Sequence, residues 1–277
     1  MQNKGTILTA SAFGAGILIA VLRIIHTGTY GENGLPVDGF LTALLSAAAI
    51  AAVAYAYITA TVIGRKKAAE KEVAKSMAGP HSGLTLLLQL IAAVLVLIHG
   101  IISYPTYPEI IKNHNAMALP LAVLFAISHA AVSVMIYKGK TSRATGLIGV
   151  FSPLYFCLQL GEIFYANMAN PVLLEYSYEC LSLGACALYL IAMAGNASGK
   201  DQVFSIIVAS LLALICAPAS FTGPQLDVRR LLLYIAISLI ILPNLPVFMN
   251  NLIKREKKKK KEQTETEAEA ETETETE

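Results

Sequence analysis

Eight long apolar runs constrain this chain more than any other feature. They cover residues 6–26, 38–63, 83–103, 116–137, 144–165, 171–194, 202–220 and 229–250. An α-helix rises 1.5 Å per residue, so about 20 apolar residues cross the roughly 30 Å hydrocarbon layer of a bilayer. No run alternates between apolar and polar residues, and an open strand cannot satisfy its backbone in lipid. The runs therefore predict an all-α polytopic bundle of eight transmembrane helices.

The distribution of charge excludes a soluble globule. Only 14% of the 277 residues are charged, against about a quarter in ordinary soluble domains. Most of these charges lie in two segments, residues 65–75 and 254–277. The remaining chain has too few charges to cover a water-exposed surface. The predicted surroundings are a lipid bilayer. The net charge of +2 does not indicate a nucleic-acid partner, because membrane topology accounts for the lysine run near the C-terminus.

The sequence divides into a helical bundle, residues 1–253, and a cytoplasmic tail, residues 254–277. The tail begins with a basic run that includes Lys257–Lys261 and continues with eight acidic residues among residues 262–277. It has no apolar face to bury, which predicts disorder. The lysines follow the last helix directly, so we expect them to meet anionic lipid headgroups, each contributing about 1 kcal/mol.

The basic residues also predict the orientation. With the N-terminus inside, the cytoplasmic segments contain 17 Lys and Arg residues and the opposite segments contain 4. Cytoplasmic loops carry the excess of basic residues in membrane proteins, so both termini are predicted to be cytoplasmic, in a multi-pass protein of the plasma membrane. The first run is long for a signal peptide and lacks a small-residue cleavage pattern, which favours an uncleaved first helix.

Small residues recur every four positions in the first two runs. Ala43, Ala47 and Ala51 form one such row in the second run, with another row from Ala48 to Ala60. Such spacing lets helix backbones approach closely in lipid, so spans one and two are expected to be interior helices or to lie against a partner. Polar residues mark the starts of two runs: Asp38 and Asn170 occupy N-cap positions, and Pro171 follows Asn170 at the favoured first helical position.

Ionisable side chains inside the spans are the candidates for function. Each costs roughly 2.5–3.5 kcal/mol at the centre of a membrane helix, so each needs an explanation. The candidates, with two neutral polar neighbours, are Arg23, His99, His129, Glu162, Glu175, Glu179, Gln89 and Gln159. In the predicted orientation most of them lie in the outer half of the membrane, and His129 lies near its middle.

Spans five and six carry matching polar stripes. Ser152, Tyr155, Gln159 and Glu162 lie on one face of span five, and Glu175 and Glu179 begin a similar stripe on span six. The short connection between these spans predicts that they pack as antiparallel neighbours. We therefore expect an outward-facing polar pocket that binds a ligand or an ion. Its predicted residues are Glu162, Glu175, Glu179, Gln159, Tyr155, Arg23 and His129.

A purely structural interpretation of the same residues is also open. Glu175 then lies among lipid headgroups, and Glu162 pairs with Arg23 to fasten the bundle. The last span contains Pro243 and Pro246, which predict a kinked helix.

The sequence has no motif for a nucleotide, a metal or a nucleophile. The four cysteines lack metal-binding spacing, so no cofactor or metal is predicted, and an enzyme is disfavoured. The predicted function is a small-solute or ion permease. The alternative is a non-transporting membrane sensor, scaffold or subunit of a membrane complex.

Overall fold

A computed structural model describes residues 4–30, 39–65, 83–103, 112–168, 174–222 and 227–250. The side chains of residues 4, 64–65, 112–116 and 174–175 lie outside this description. The polybasic and acidic tail also lies outside it, as do Asp38, Asn170 and Pro171. The predictions made for the tail and for these helix starts therefore remain predictions.

The described residues form helices joined by turns, without a β-strand. The helices are α1 (Lys4–Thr27), α2 (Gly39–Arg65), α3 (Gly83–Ser103), α4 (Lys112–Tyr137), α5 (Arg143–Gly149), α6 (Ser152–Ala166), α7 (Leu174–Ala197), α8 (Val203–Ala219), α9 (Val228–Ile241) and α10 (244–250). A 3-10 turn, Ser220–Thr222, follows α8. The all-α class predicted from the sequence is confirmed.

Eight segments of this structure are long and apolar enough to cross a membrane. α5 with α6 makes one span, and α9 with α10 makes another. Seven of the eight predicted runs agree with these spans within about two residues at each end. The sixth span ends at Ala197 rather than at residue 194, and its predicted start at residue 171 lies outside the described residues. We call the two ends of the bundle the Gly5 end, where α1 begins, and the Arg23 end, where α1 finishes.

α8 is the central helix, and α7, α1, α2 and α9 pack against it. In the membrane-spanning window of α8, 78% of the residues are buried, whereas the windows of α1 and α2 are only 28% and 17% buried. The expectation that spans one and two are interior helices is therefore wrong, and its alternative, that they lie against a partner, remains a prediction. The alanine row that includes Ala52, Ala56 and Ala60 does face the protein, but Ala43, Ala47 and Ala51 point outward.

Close helix packing depends on two glycines, Gly16 and Gly146. A Cβ atom on Gly16 of α1 would lie 2.5 Å from the carbonyl oxygen of Ile215 on α8. A Cβ atom on Gly146 of α5 would lie 2.6 Å from the carbonyl oxygen of Ala194 on α7. Both neighbours are backbone atoms, so only glycine permits these approaches. Gly14, also on α1, has nothing within 4 Å of the same position.

Two of the eight spans are interrupted. The fifth breaks between α5 and α6, at residues 150–151, and the eighth breaks between α9 and α10, at residues 242–243. Pro153 has no N–H for the carbonyl of Gly149, and Pro243 has none for the carbonyl of Leu239. The prolines of the last span predicted a disturbed helix, and the helix is interrupted at residues 242–243, although Leu242 itself keeps helical φ and ψ angles. Both breaks lie toward the Gly5 end of the bundle.

Candidate functional site

The Arg23 end of the bundle contains a buried ion pair. Nη1 of Arg230, in the first turn of α9, lies 3.2 Å from Oε2 of Glu179, in the second turn of α7. The Glu179 side chain is 2% exposed and that of Arg230 is 22% exposed. The hydroxyl of Tyr234, one turn further along α9, lies beside the same carboxylate without the geometry of a full hydrogen bond.

Arg23 joins this cluster from α1. Its Nη1 donates to the carbonyl oxygen of Ala219 at the end of α8, 2.7 Å away. Its guanidinium lies over the ring of Tyr178, 5.2 Å from the ring centroid, which is a cation–π arrangement. The Tyr178 hydroxyl donates to the carbonyl oxygen of Leu45 on α2 at 2.7 Å. The cluster thus brings together α1, α2, α7, α8 and α9, and we call Arg23, Tyr178, Glu179, Arg230 and Tyr234 the ionic cluster.

Asp227 fixes the start of α9 and with it the position of Arg230. Its Oδ1 accepts the backbone N–H of Arg230 at 2.8 Å, as an N-cap. Its Oδ2 accepts Nε of Arg229 at 2.7 Å. Partial burial acts to raise the pKa of Asp227, but these bonds and the charges of Arg229 and Arg230 outweigh it, so the pKa lies below its ordinary value.

The predicted pocket residues are distributed over several places. Arg23 and Glu179 lie in the ionic cluster, and the Glu175 side chain lies outside the described part. Nε2 of Gln159 donates to Oε2 of Glu162 at 2.9 Å, so this pair lies along α6 itself. α6 and α7 do pack together, as their short connection predicted. However, the described ion-pair partner of Glu179 is on α9 and not on α6.

Tyr155 and His129 belong to a group of buried polar side chains in the middle of the bundle. The Tyr155 hydroxyl bonds to Nδ1 of His99 on α3, and the rings of His129 and Phe125 stack with centroids 5.0 Å apart. Between them, Oγ of Ser128 on α4 lies 2.9 Å from Oγ of Ser152 on α6. Buried polar groups in lipid pair in this way because water is absent.

A small cavity lies beside this group of polar side chains, toward the Gly5 end. It has a volume of about 30 Å³, and its wall includes residues next to both helix breaks. The polar residues that line it are Gln89, His129, Ser133, Ser152, Tyr189 and Asn244. We call this space the His129 cavity. It is the described place where the interrupted spans and the buried polar side chains meet.

The sequence interpretation missed several residues of these two sites. Arg230 and Tyr234 looked like ordinary residues of a helix start and an apolar run, because nothing local indicates that α9 faces α7. Asn244 and Tyr189 were not grouped with His129 for the same reason. The signal that was available is Pro243: a proline break leaves carbonyl groups that need a donor, and Gln89 supplies it.

Among the described residues, no three His, Cys, Asp or Glu side chains are grouped so that they could hold a metal ion. The four cysteines are free thiols. The eight apolar helices define the protein as a multi-pass α-helical membrane protein. The chain matches no protein-family model, no curated protein and no solved structure.

Proposed function

We propose that the protein is a permease for a small solute or an ion, with its outward-facing polar site at the Arg23 end. The observation that supports this most is the Glu179–Arg230 pair buried inside the bundle next to Arg23. Ionisable residues within spans are costly, and where they occur they commonly mark substrate or ion pathways. The basic-residue count supports the assignment of the Arg23 end to the outer side.

A stabilising role alone accounts poorly for this cluster. Burying two charges costs several kcal/mol per ion, and apolar side chains of similar volume often stabilise as well as a buried ion pair does. α7 and α9 also contact each other less than α7 contacts α6 and α8, so the pair does not sit in a large helix interface. A charged group that meets a solute gives a reason for its retention in a membrane interior.

The alternative function is a non-transporting sensor, scaffold or subunit. One observation favours it: α2 is the least buried span, and its outward face carries the row Ala43, Ala47 and Ala51. A face of small residues suits close packing with a helix of another protein. Under this alternative the ionic cluster only fastens helices together.

The test is solute flux into proteoliposomes. Wild-type protein and the variant Glu179→Gln are reconstituted, and uptake is followed by light scattering for small neutral solutes and by ion-sensitive dyes for inorganic ions. Glutamine keeps the volume and hydrogen bonding of the side chain but removes its charge, so the variant should fold and lose flux. Asp201→Asn is the matched control, because the described contact of Asp201 is a cap bond to the backbone N–H of Val203 at the other end of the bundle.

The outcomes separate the two functions. Wild-type flux that Glu179→Gln abolishes and Asp201→Asn preserves supports the permease. Flux that is equal in all three proteins places the pathway elsewhere. If no solute in the panel moves faster than through protein-free vesicles, the scaffold alternative is favoured.

A further inference from the structure

The wall of the His129 cavity offers several hydrogen-bond acceptors, and they follow from assigning the protons of Gln89, His129 and Ser152. Gln89 is the first step. Its Nε2 lies 3.0 Å from the carbonyl oxygens of both Leu239 and Ile240, so both of its N–H groups are directed at acceptors. Oε1 of Gln89 must then be the atom that faces Nε2 of His129, 2.9 Å away.

This arrangement fixes the tautomer of the His129 ring. An amide oxygen only accepts hydrogen bonds, so Nε2 of His129 carries the proton and donates it to Gln89. In the neutral ring the other nitrogen, Nδ1, is then unprotonated and has a lone pair. His129 lines the cavity, and Nδ1 is the nitrogen that remains to accept a hydrogen bond there.

The hydrogen-bond donors around Ser152 can be assigned in the same way. The hydroxyl of Ser128 donates to the carbonyl oxygen of Phe125 at 3.1 Å, which uses its single proton. In the 2.9 Å contact between the two serines, Ser152 is therefore the donor and Ser128 the acceptor. The lone pairs of the Ser152 oxygen remain, and Ser152 lines the cavity.

Further acceptors border the same space. The carbonyl of Gly149 cannot receive the N–H that a residue other than Pro153 would provide, and Gly149 lines the cavity. Ser133 and Tyr189 line it as well, and Tyr189 interacts with Asn244. Their hydroxyls can accept as well as donate a hydrogen bond. One amide proton of Asn244 is directed at the carbonyl oxygen of Ile240, 2.9 Å away.

We propose that the His129 cavity binds an ammonium ion. Ammonium has four N–H donors and no lone pair. The lining residues His129, Ser152 and Gly149 offer acceptors, and the hydroxyls of Ser133 and Tyr189 accept when their own protons turn away. The size of ammonium is close to that of water, and a volume of about 30 Å³ is sufficient for one such molecule. No Asp, Glu, Lys or Arg is among the described lining residues, and His129 and Tyr189 are the titratable ones. Because the site has no counter-charge, binding is expected in the millimolar range or weaker.

This inference does not depend on the permease proposal, because it concerns binding in the protein at rest. The test is thermal unfolding of the detergent-purified chain at constant pH, ionic strength and chloride. The buried thiols of Cys186 and Cys216 become reactive on unfolding and can be followed with a thiol-reactive dye. A ligand that binds only the folded state raises Tm in a saturable way. Ammonium chloride should raise Tm, whereas potassium chloride, with a cation of similar size but no N–H, should not.

Two variants locate the effect. Ser152→Ala removes one acceptor and should weaken the ammonium response about tenfold in concentration. Ser210→Ala is the matched control: this serine is equally buried, donates to the carbonyl oxygen of Ile206 at 2.6 Å and does not line the cavity. It should keep the response of the wild type. Equal effects of potassium and ammonium, no effect of ammonium up to molar concentration, or an unchanged response in Ser152→Ala would each overturn the proposal. The wild-type comparison of the two salts decides the question even if a variant does not fold.

Discussion

Gln89 closes the break in the eighth span, and a double-mutant cycle with Pro243 tests this directly. Gln89→Leu removes the bonds from Nε2 to the carbonyl oxygens of Leu239 and Ile240 and the bond from His129 to Oε1. A buried partner left without its bond costs about 1–3 kcal/mol in soluble proteins, but side-chain bonds inside membranes average nearer 0.6 kcal/mol. Ile240 keeps a bond from Asn244, so the larger losses are at Leu239 and His129. We expect a total of about 2 kcal/mol.

The second arm of the cycle restores the missing donor. Pro243→Ala gives residue 243 an N–H that can reach the carbonyl of Leu239, four residues earlier. In that background the cost of Gln89→Leu should fall by roughly half, because only the His129 bond is then lost without replacement. The measurement is the free energy of unfolding by reversible SDS denaturation of the four proteins in mixed micelles. An equal cost of Gln89→Leu in both backgrounds would refute the capping role.

Three further predictions follow from the packing and the charges. Gly16→Ala should destabilise the bundle by more than about 1 kcal/mol, because its Cβ would lie 2.5 Å from a backbone oxygen, whereas Gly14→Ala should be neutral in the same unfolding assay; equal effects would contradict the packing of α1 on α8. The lowered pKa of Asp227 means that its ionised form stabilises the fold above the unfolded pKa of about 3.9, and this contribution is lost as the pH falls through the folded pKa. Asp227→Asn should remove that part of the acid sensitivity in a pH series of unfolding measurements, and an unchanged pH profile would count against it. Cysteines placed at positions 75 and 140 should be protected from membrane-impermeant reagents in intact cells, and labelling of the 65–80 loop from outside would reverse the predicted orientation.

The spans were predictable because the solvent imposes them. A bilayer requires about 20 apolar residues in each crossing, and this requirement is visible in any window of the sequence. Helix ends near loops were less predictable: the sixth span ends at Ala197 rather than at residue 194. Burial of whole helices was predicted poorly. The alanine-rich α2 is the most exposed span, because lipid and protein are equally acceptable surroundings for a small apolar side chain.

The partners of the polar residues were not predictable from helical spacing. The spacing of Glu179 shows which face of α7 it occupies, but not which neighbouring helix that face meets. The face of Glu179 contacts Arg230, which is 51 residues away in the chain. In contrast, the Gln159–Glu162 bond lies within one turn of α6, and both residues had been placed on one face. Local relations were thus readable from the sequence, and long-range pairings were not.

The two polar sites lie on opposite sides of an aromatic layer, and this bears on how the proposed permease would work. Along α6, Ser152 lines the His129 cavity, Tyr155 follows one turn later, and Gln159 and Glu162 continue toward the Arg23 end. Tyr155, Phe125 and Phe156 are fully buried and in mutual ring contact, with centroids 5.4–6.3 Å apart. A solute that followed α6 from one site to the other would have to displace these rings. At the break at residues 150–151, Phe151 and Leu154 donate to the carbonyl oxygens of Ile148 and Phe151, three residues earlier, instead of making regular helical bonds. Interrupted helices of this kind are places where helical segments bend or move. In the proposed function, movement of α6 about this break is therefore the step that opens the layer.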